Sequence, residues 1–585
     1  MRRPTRTLAI AGVLLMTLLT GCSLPWPFAQ PTPNTKLPDA QQILHLMGAV
    51  HDLDPALIYS GEDTQLAQLL FPPLVTVDEH QRPIDWAAES HQISADGLTY
   101  TFHLHKGMTW SDGTPIDATT FAYSINRALD PCTGSSTPYL LYNIKGAEAF
   151  NKGVCPLGAL HSPTTLIGSS LLVPDPLTLQ ILLQAPAGYF LAALTEPASL
   201  AVPQWLVERY TQPATNPDNL YSPTVTSTWT DHLSDNGGLG GNLFMLTAPI
   251  VDSTGRSQFT FSRNDRFWGQ KPLLRRIDYV NSSDASASWN AFLQSNSDIG
   301  YPLASTLDGA RQLKDTTYHE TPVLTTNFLR PNWKRAPFDD VRVRQAFWLA
   351  IDRRAFVNSF TSPLVQPTIH LLIDGLPEYN PKLLDPAGRS GAHALTADLK
   401  AAQSLVSAYA AEKCQGRLEN CAPVLYYFNG GSSQIIQRAN ALVAQWQVAF
   451  PGWQISDTWC DRCTQSDTSW IQPLSNGGWG EDYPDGQDFL SALWRTGSAY
   501  SMYSPTGVSV PAADTLLDQA DVSSDRALRA RLYQQAEQLL VNQVAAIPLY
   551  QSETVYVVRT KVVNWRVAPT GQTPLSVWQA TYISR

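Results

Sequence analysis

The first 38 residues decide where folding can begin, because they cannot belong to a packed body. Arg2, Arg3 and Arg6 precede a twelve-residue apolar stretch, LAIAGVLLMTLL from Leu8 to Leu19. That stretch is short for a bilayer span and right for a secretory signal. It ends in Leu19-Thr20-Gly21-Cys22, which resembles the lipobox where a cysteine is lipidated and becomes the mature N-terminus. Residues 1–21 are therefore expected to be removed. Residues 22–38 carry Pro25, Pro27, Pro31, Pro33 and Pro38 with almost no charge. Such a segment favours extended conformations and builds no core, so it reads as a tether.

Export fixes the redox chemistry of the mature chain. Of the seven cysteines six remain after Cys22, as close neighbours in sequence: Cys132 and Cys155, Cys414 and Cys421, Cys460 and Cys463. An oxidising compartment makes three local disulfides the expected state, although six cysteines allow fifteen connectivities. The Cys460-Asp-Arg-Cys463 spacing also admits redox or metal chemistry. A metal site usually needs about four ligands, and no second such pair accompanies this one. Losing three arginines with the signal moves the formal charge from −10 to −13. That acidity, without a basic run, excludes nucleic acid as a partner.

Elements of both kinds alternate along the body. A helix-like stretch runs from Leu53-Asp54-Pro55 through Gln65–Leu70. Thr99–Leu104 (TYTFHL) alternates as a half-buried strand does, and Trp110-Ser111-Asp112-Gly113 makes a turn. Asp117 is an expected helix N-cap, a strand covers Leu177–Leu183, and a helix surrounds Phe190–Leu194. Val341–Phe356 and Arg529–Asn542 read as amphipathic helices. Frequent mixing of this sort indicates an α/β architecture.

Six short blocks, in order over some 500 residues, resemble the peptide/nickel class of extracellular solute-binding proteins, which includes the oligopeptide- and dipeptide-binding proteins. They are Leu98–Gly107, Trp110–Pro115, Arg263–Gly269 (RNDRFWG), Pro337–Ala346 (PFDDVRVRQA) continued by Ala350-Ile351-Asp352-Arg353, Gly477–Asp485 (GGWGEDYPD) and Ala545–Tyr550 (AAIPLY). Most of these blocks also have a plain structural reading: the Trp110 turn needs Gly113, and Arg342 and Arg344 are placed to pair with Asp339 and Asp340.

The resemblance implies a two-lobed clamshell of the periplasmic-binding-protein type, with an extra domain in one lobe. On that pattern 39–78, 200–325 and 535–585 form the core of lobe I, 79–199 the extra domain, and 326–534 lobe II. It implies a peptide or similar small solute held between closing lobes and delivered to an ABC-type permease. In peptide-binding members the aspartate of Trp-x-x-Asp pairs with the ligand's α-amino group, and Trp479-Gly480-Glu481-Asp482 matches that pattern. Asp482 is thus the expected anchor, with Glu481 and Asp485 as local competitors and a structural turn as the alternative. Gly478 and Gly480 would bring bare backbone to the ligand, Trp479 would wall the pocket, and Tyr426, Tyr427 and Asn429 would line the cleft. For a ligand carboxylate the nearby bases are Arg330, Lys334, Arg438 and Arg462, none placed by a motif.

Other solutes known for the class (oligosaccharides, nickel chelates, haem) stay open, and 17 tryptophans suit sugar stacking as well as a large core. An extracellular hydrolase has little to work with: no GxSxG elbow, HExxH or paired-histidine motif occurs. No enzyme activity, cofactor or metal is expected. The expected partners are the solute, the permease and the membrane through Cys22, with the protein acting as a monomer on the outer face of the cell membrane.

Overall fold

The computed structural model describes residues 35–58, 60–214, 224–251, 257–360, 364–429, 432–460, 472–497 and 506–585. Among them the strands form three larger sheets. One is four-stranded, in the order Ile43–Gly48, Arg276–Asn281, Ser257–Arg263, Phe244–Val251. A second four-stranded sheet runs Ala88–Ile93, Thr99–Leu104, Thr178–Leu182, Leu171–Asp175. The third has seven strands: Ile299–Gly300, Ile547–Arg559, Thr316–Pro331, Leu474–Gly480, Val424–Asn429, Ile455–Cys460, with Val365–Pro367 added beside Ile547–Arg559.

Two apolar cores organise these sheets. The first joins Leu44, Tyr100, Phe102 and Phe261 to Tyr556 and Trp578, so both four-stranded sheets share it. The second runs from Leu324 to Tyr550 around Phe347, Trp446 and Tyr533. The family pattern assigns all of 535–585 to the first lobe. The structure instead divides that stretch, because Ala536, Leu540, Ile547 and Leu549 pack into the second core and Tyr556 and Val558 into the first. Ile547–Arg559 therefore crosses from one body to the other, with Thr316–Pro331 paired along it. Their mutual register shifts between Pro322 and Thr326 and again between Asn327 and Phe328, near that crossing.

Local signals explain most elements. Asp117 caps Ala118–Leu129 with a reciprocal box: its carboxylate accepts from the Thr120 N–H while the Thr120 hydroxyl accepts from the Asp117 N–H. Gly113 sits at φ 97°, which the Trp110 turn requires and a side chain would resist. Two expectations need correction. The helix read from Leu53 begins at Gly61, capped by Ser60, while Asp54 is drawn into the core. The helix read as Val341–Phe356 is two helices, Val341–Leu349 and Arg353–Asn358, because Asp352 accepts from the Ala355 N–H and restarts the chain.

Each body carries a disulfide, Cys132–Cys155 in the first and Cys414–Cys421 in the second. Cys463, and the side chain of Cys460, lie outside the described residues, as do Cys22 and the tether up to residue 34. Among the described residues no helix is long and apolar enough to cross a membrane.

Candidate functional site

The strand Leu474–Gly480 (LSNGGWG) has unequal edges. On one side it pairs antiparallel with Thr325–Pro331 along its whole length. On the other, Val424–Asn429 reaches only Leu474 and Ser475. Past Ser475 the Val424–Asn429 ladder ends, and the strand runs on through Gly477, Gly478 and Gly480, a glycine-rich edge of the kind to which an extended chain can add. The glycines have different reasons. A Cβ at Gly477 would lie 2.8 Å from the Phe328 ring and 3.0 Å from Arg330 Nε, so packing excludes a side chain there. Gly478 and Gly480 are exposed, which leaves bare backbone open to a neighbour.

Just past this edge the chain turns through Glu481 and Asp482. The Trp479 indole N–H donates to Asp488 Oδ2 at 3.0 Å, and the Asp482 backbone N–H donates to the same oxygen at 3.0 Å. Asp488, 1% exposed, fixes the turn from beneath. The Asp482 side chain points the other way and accepts from the Tyr139 hydroxyl at 2.9 Å. Tyr139 belongs to the first body. The contact is framed by a small apolar cluster in which Leu140, Ala192 and Ala193 meet Tyr483, with Tyr189 stacked on Tyr483 at 5.9 Å and 8°. Glu196 comes three residues after Ala193 of this cluster.

Four carboxyls thus approach one another where the two bodies meet, and their electrostatics show it. Burial, then the negative charge of Asp482, pushes Glu196 up to about 8. Burial and the neighbouring acids raise Glu481 well above the usual carboxylate range. Asp488 is raised in the same way, by burial first and Asp482 second, against the opposing pull of its two N–H donors. Burial and Asp482 also raise the Tyr139 phenol, so it stays a donor to the Asp482 carboxylate. Such a locus favours an incoming cation with several N–H donors, and an ammonium is one. The described acids, histidines and cysteines form no metal-holding group.

Asp485, a competitor for the anchoring role, is committed to a buried pair with Arg529 at 2.6 Å. Trp479 is partly buried against the second core. Tyr426 is 4% exposed, edge-on to Trp446 at 5.8 Å, so its ring is a core element that also borders a small pocket. The side chain of Asn429 lies outside the described residues, as does Arg462. Arg330 is buried and donates to the Asn476 carbonyl at 2.7 Å, supporting the strand. Arg342 pairs with Asp340 at 2.6 Å as read, but Arg344 bonds carbonyl oxygens of Phe338, Asp339 and Gln543 instead of a carboxylate. Tyr139, Glu196 and Asp488 carry no signal in the sequence. Tyr139 lies 343 residues from Asp482, and no motif surrounds it.

Comparison with known proteins bears on the whole chain. It is 26% identical over 596 aligned residues to the periplasmic oligopeptide-binding protein OppA of Escherichia coli K12, covering 97% of this chain and 96% of that one. It is 24% identical to the dipeptide-binding protein DppE of Bacillus subtilis 168, covering 85% and 84% respectively. Among solved structures, the unliganded open form of the periplasmic murein tripeptide-binding protein MppA superposes with a TM-score of 0.77 at 22% identity, covering 95% of this chain and 99% of that one. HbpA2 of Haemophilus parasuis gives 0.71 at 18%, covering 93% and 100%. The mixed α/β fold is thus that of the periplasmic peptide-binding proteins. Residues 82–501 match the middle region of family 5 of the bacterial extracellular solute-binding proteins, and the chain belongs to that family.

Proposed function

We propose that this protein captures short peptides between its two bodies and delivers them to an ABC-type import permease. The observation that carries the reading is the junction of the glycine-rich strand end, Gly477 to Gly480, which runs past its Val424–Asn429 ladder, with a carboxylate held from the opposite body, Asp482 on Tyr139. A peptide supplies both complements at once. Its backbone satisfies the strand edge whatever its side chains are, and its α-ammonium meets the acids. Relatives named for oligopeptide and dipeptide binding support the same reading.

In this view the bodies act as lobes: 326–534 moves against 39–78 and 200–325, with 79–199 carried as an extra domain. Ile547–Arg559, the strand that crosses between cores, and Thr316–Pro331 paired along it serve as the hinge. Cys22 holds the protein by lipid to the outer face of the membrane, and the Pro-rich segment after it gives reach. The tether expected to run to 38 stops short of Thr35, because Thr35, Lys36 and Leu37 pair with Ile583–Arg585 and Leu37 packs on the first core. Replacing Cys22 by Ser is expected to release the protein into the soluble exported fraction. Unchanged membrane association of that variant would remove the anchor assignment.

The peptide reading is tested by titrating the protein with tri-alanine and with its N-acetylated form. The free amine is expected to bind at least about a hundredfold more tightly, since acetylation removes the charge that the acids receive. Equal binding of the two would sink the ammonium assignment.

A further inference from the structure

A cavity of about 270 Å³ in the first body is bordered by Glu62, Tyr279, Tyr301, Thr554 and Trp565, and Glu62 is the single charged residue on its wall. One glycine lets these groups meet. Gly48 ends the strand Ile43–Gly48, and a Cβ there would lie 2.4 Å from the Tyr279 hydroxyl oxygen and 3.2 Å from Glu62 Oε1. Any side chain at 48 would take the space where carboxylate and phenol approach.

The Glu62 carboxylate is held without being neutralised. Its Oε2 accepts from the Ala49 N–H at 2.8 Å. Among the described residues no lysine or arginine pairs with it; its charged neighbours are Asp63 and His51, and His51 lies against Asp63 at 3.4 Å. Other acids of this body are arranged differently: Asp54 has Arg127, and Asp298 has Lys561. Burial, then the charge of Glu62, raises the phenols of Tyr279 and Tyr301, so both stay protonated beside it.

This lining suits a cation. The carboxylate supplies the charge, aromatic rings attract a cation to their faces, and the two phenol oxygens can accept from N–H donors. An anion meets no base on this wall, and an apolar group would strip water from Glu62 without replacing it. The volume falls below that of a pocket enclosing a whole drug-sized ligand, so it fits one group of a larger one. The cavity also lies beside the hinge strands. Thr554 stands opposite Thr321, and Thr325, four residues on, stands opposite Gly480. Four extended residues rise about 13 Å, the reach of a short peptide.

We propose that this cavity takes a cationic group of the ligand, an alkylammonium or a guanidinium, with Glu62 as its counter-charge and Tyr279, Tyr301 and Trp565 around it; the proposal rests on the peptide reading above. The protein then selects short peptides with a lysine or arginine roughly two to four residues from the N-terminus. A free organic amine carries the same chemistry, and the test separates the two sources.

The test uses the folded mature protein as wild type, Glu62→Gln and Tyr301→Leu. The probes are tetra-alanine, its variants with lysine at position 2, 3 or 4, the matching norleucine peptides, and n-butylammonium. Norleucine keeps the lysine stem without its charge. Calorimetry measures each affinity, and thermal unfolding verifies that the proteins are folded. The wild type is expected to prefer lysine over norleucine at one position by about ten- to a hundredfold. Glu62→Gln is expected to lose that preference, and Tyr301→Leu to reduce it by about two- to fivefold. Binding of n-butylammonium to the wild type and not to Glu62→Gln, with no lysine preference at any position, keeps the cation assignment and gives the site to a free amine. An undiminished lysine preference in Glu62→Gln overturns the assignment. So does a wild type that binds norleucine as well as lysine throughout and ignores n-butylammonium. In both cases binding of tetra-alanine leaves the peptide reading standing. Capture of none of the peptides overturns the peptide reading, and n-butylammonium alone then decides the cation site.

Discussion

Asp54 and Asp488 are equally buried, at 2% and 1% exposure, one in each body, and they have opposite electrostatics. Asp54 receives both arms of Arg127 at 2.8 and 2.6 Å, the Trp229 indole N–H at 2.7 Å and the Ala56 N–H at 3.1 Å. Burial alone would raise its carboxyl. The charge and hydrogen bonds of Arg127, with Trp229, outweigh burial and hold it below the usual range. Among the described residues Asp488 receives two neutral N–H groups and no cation, and it faces Asp482, so it is raised instead. The first site is a closed unit that binds the segment before Gly61 to the helix Ala118–Leu129. The second is incomplete in charge, and on the proposed function the positive group it lacks is what a peptide's ammonium brings. A buried acid with its own arginine is thus a structural device in this fold, and the proposed function makes the cluster of acids across the two bodies a binding one.

The contrast breaks most sharply at Arg127. Replacing it by Ala leaves the Asp54 carboxylate buried without its counter-charge, a loss on the order of 3–5 kcal/mol in folding free energy. Urea unfolding measures it directly. A loss below about 1 kcal/mol would show that Asp54 is neutral or hydrated, and the two aspartates would no longer differ in kind.

The complementary substitution is Asp482→Ala, where function and stability should separate. Removing Asp482 takes a negative charge away from Asp488, Glu481 and Glu196, so urea unfolding should show stability unchanged or slightly raised. Affinity for tri-alanine should fall by roughly two to four decades, the equivalent of about 3–5 kcal/mol for an ion pair broken on one side. Loss of folding stability comparable to that of Arg127→Ala would mean that Asp482 caps a turn and nothing more. Asp482→Asn should fall between, since it keeps an acceptor without the charge.

The same contrast marks what sequence could disclose. The strand Thr99–Leu104 and the Asp117 cap are written within a few residues, as alternation and as a capping pair, and both were legible. Trp479-Gly480-Glu481-Asp482 was legible because the resemblance supplied a pattern for it. Tertiary choice set the rest. Apolar spacing carries straight through Ala350-Ile351-Asp352, so only the Asp352 side chain turning back to the Ala355 N–H discloses a second helix. Arg344 had acids beside it in sequence yet was drawn 199 residues away to the Gln543 carbonyl. Tyr139 and Glu196 come from the first body and gain meaning only when it meets the second. Local pattern therefore supplied half of the candidate site, and the half from the other body required the fold.

The smallest expected effect tests whether Glu196 is part of that second half. Its carboxyl, ordinarily near 4.5, stands at about 8, raised by burial and by Asp482; Glu481 and Tyr139 also face it, and Asp488 lies behind Asp482. A carboxyl raised in the folded protein favours the fold at low pH. That contribution is complete below about 4.5 and declines as pH rises toward 8, where the charged form is forced on the cluster. An ammonium reverses the preference, because it stabilises the carboxylate and displaces the proton. Binding of tri-alanine should therefore release a proton from Glu196 at neutral pH and tighten as pH rises, by up to about tenfold between pH 6 and 7. Above about pH 8 the ligand's own α-amine loses its charge and the gain ends. Glu196→Gln cannot take part in this exchange, so its affinity should climb with pH by about tenfold less over that interval. Calorimetry in buffers of different ionisation enthalpy counts the protons released. Identical pH slopes and proton counts in wild type and Glu196→Gln would remove Glu196 from the site, and the acids that matter would then all belong to the second body.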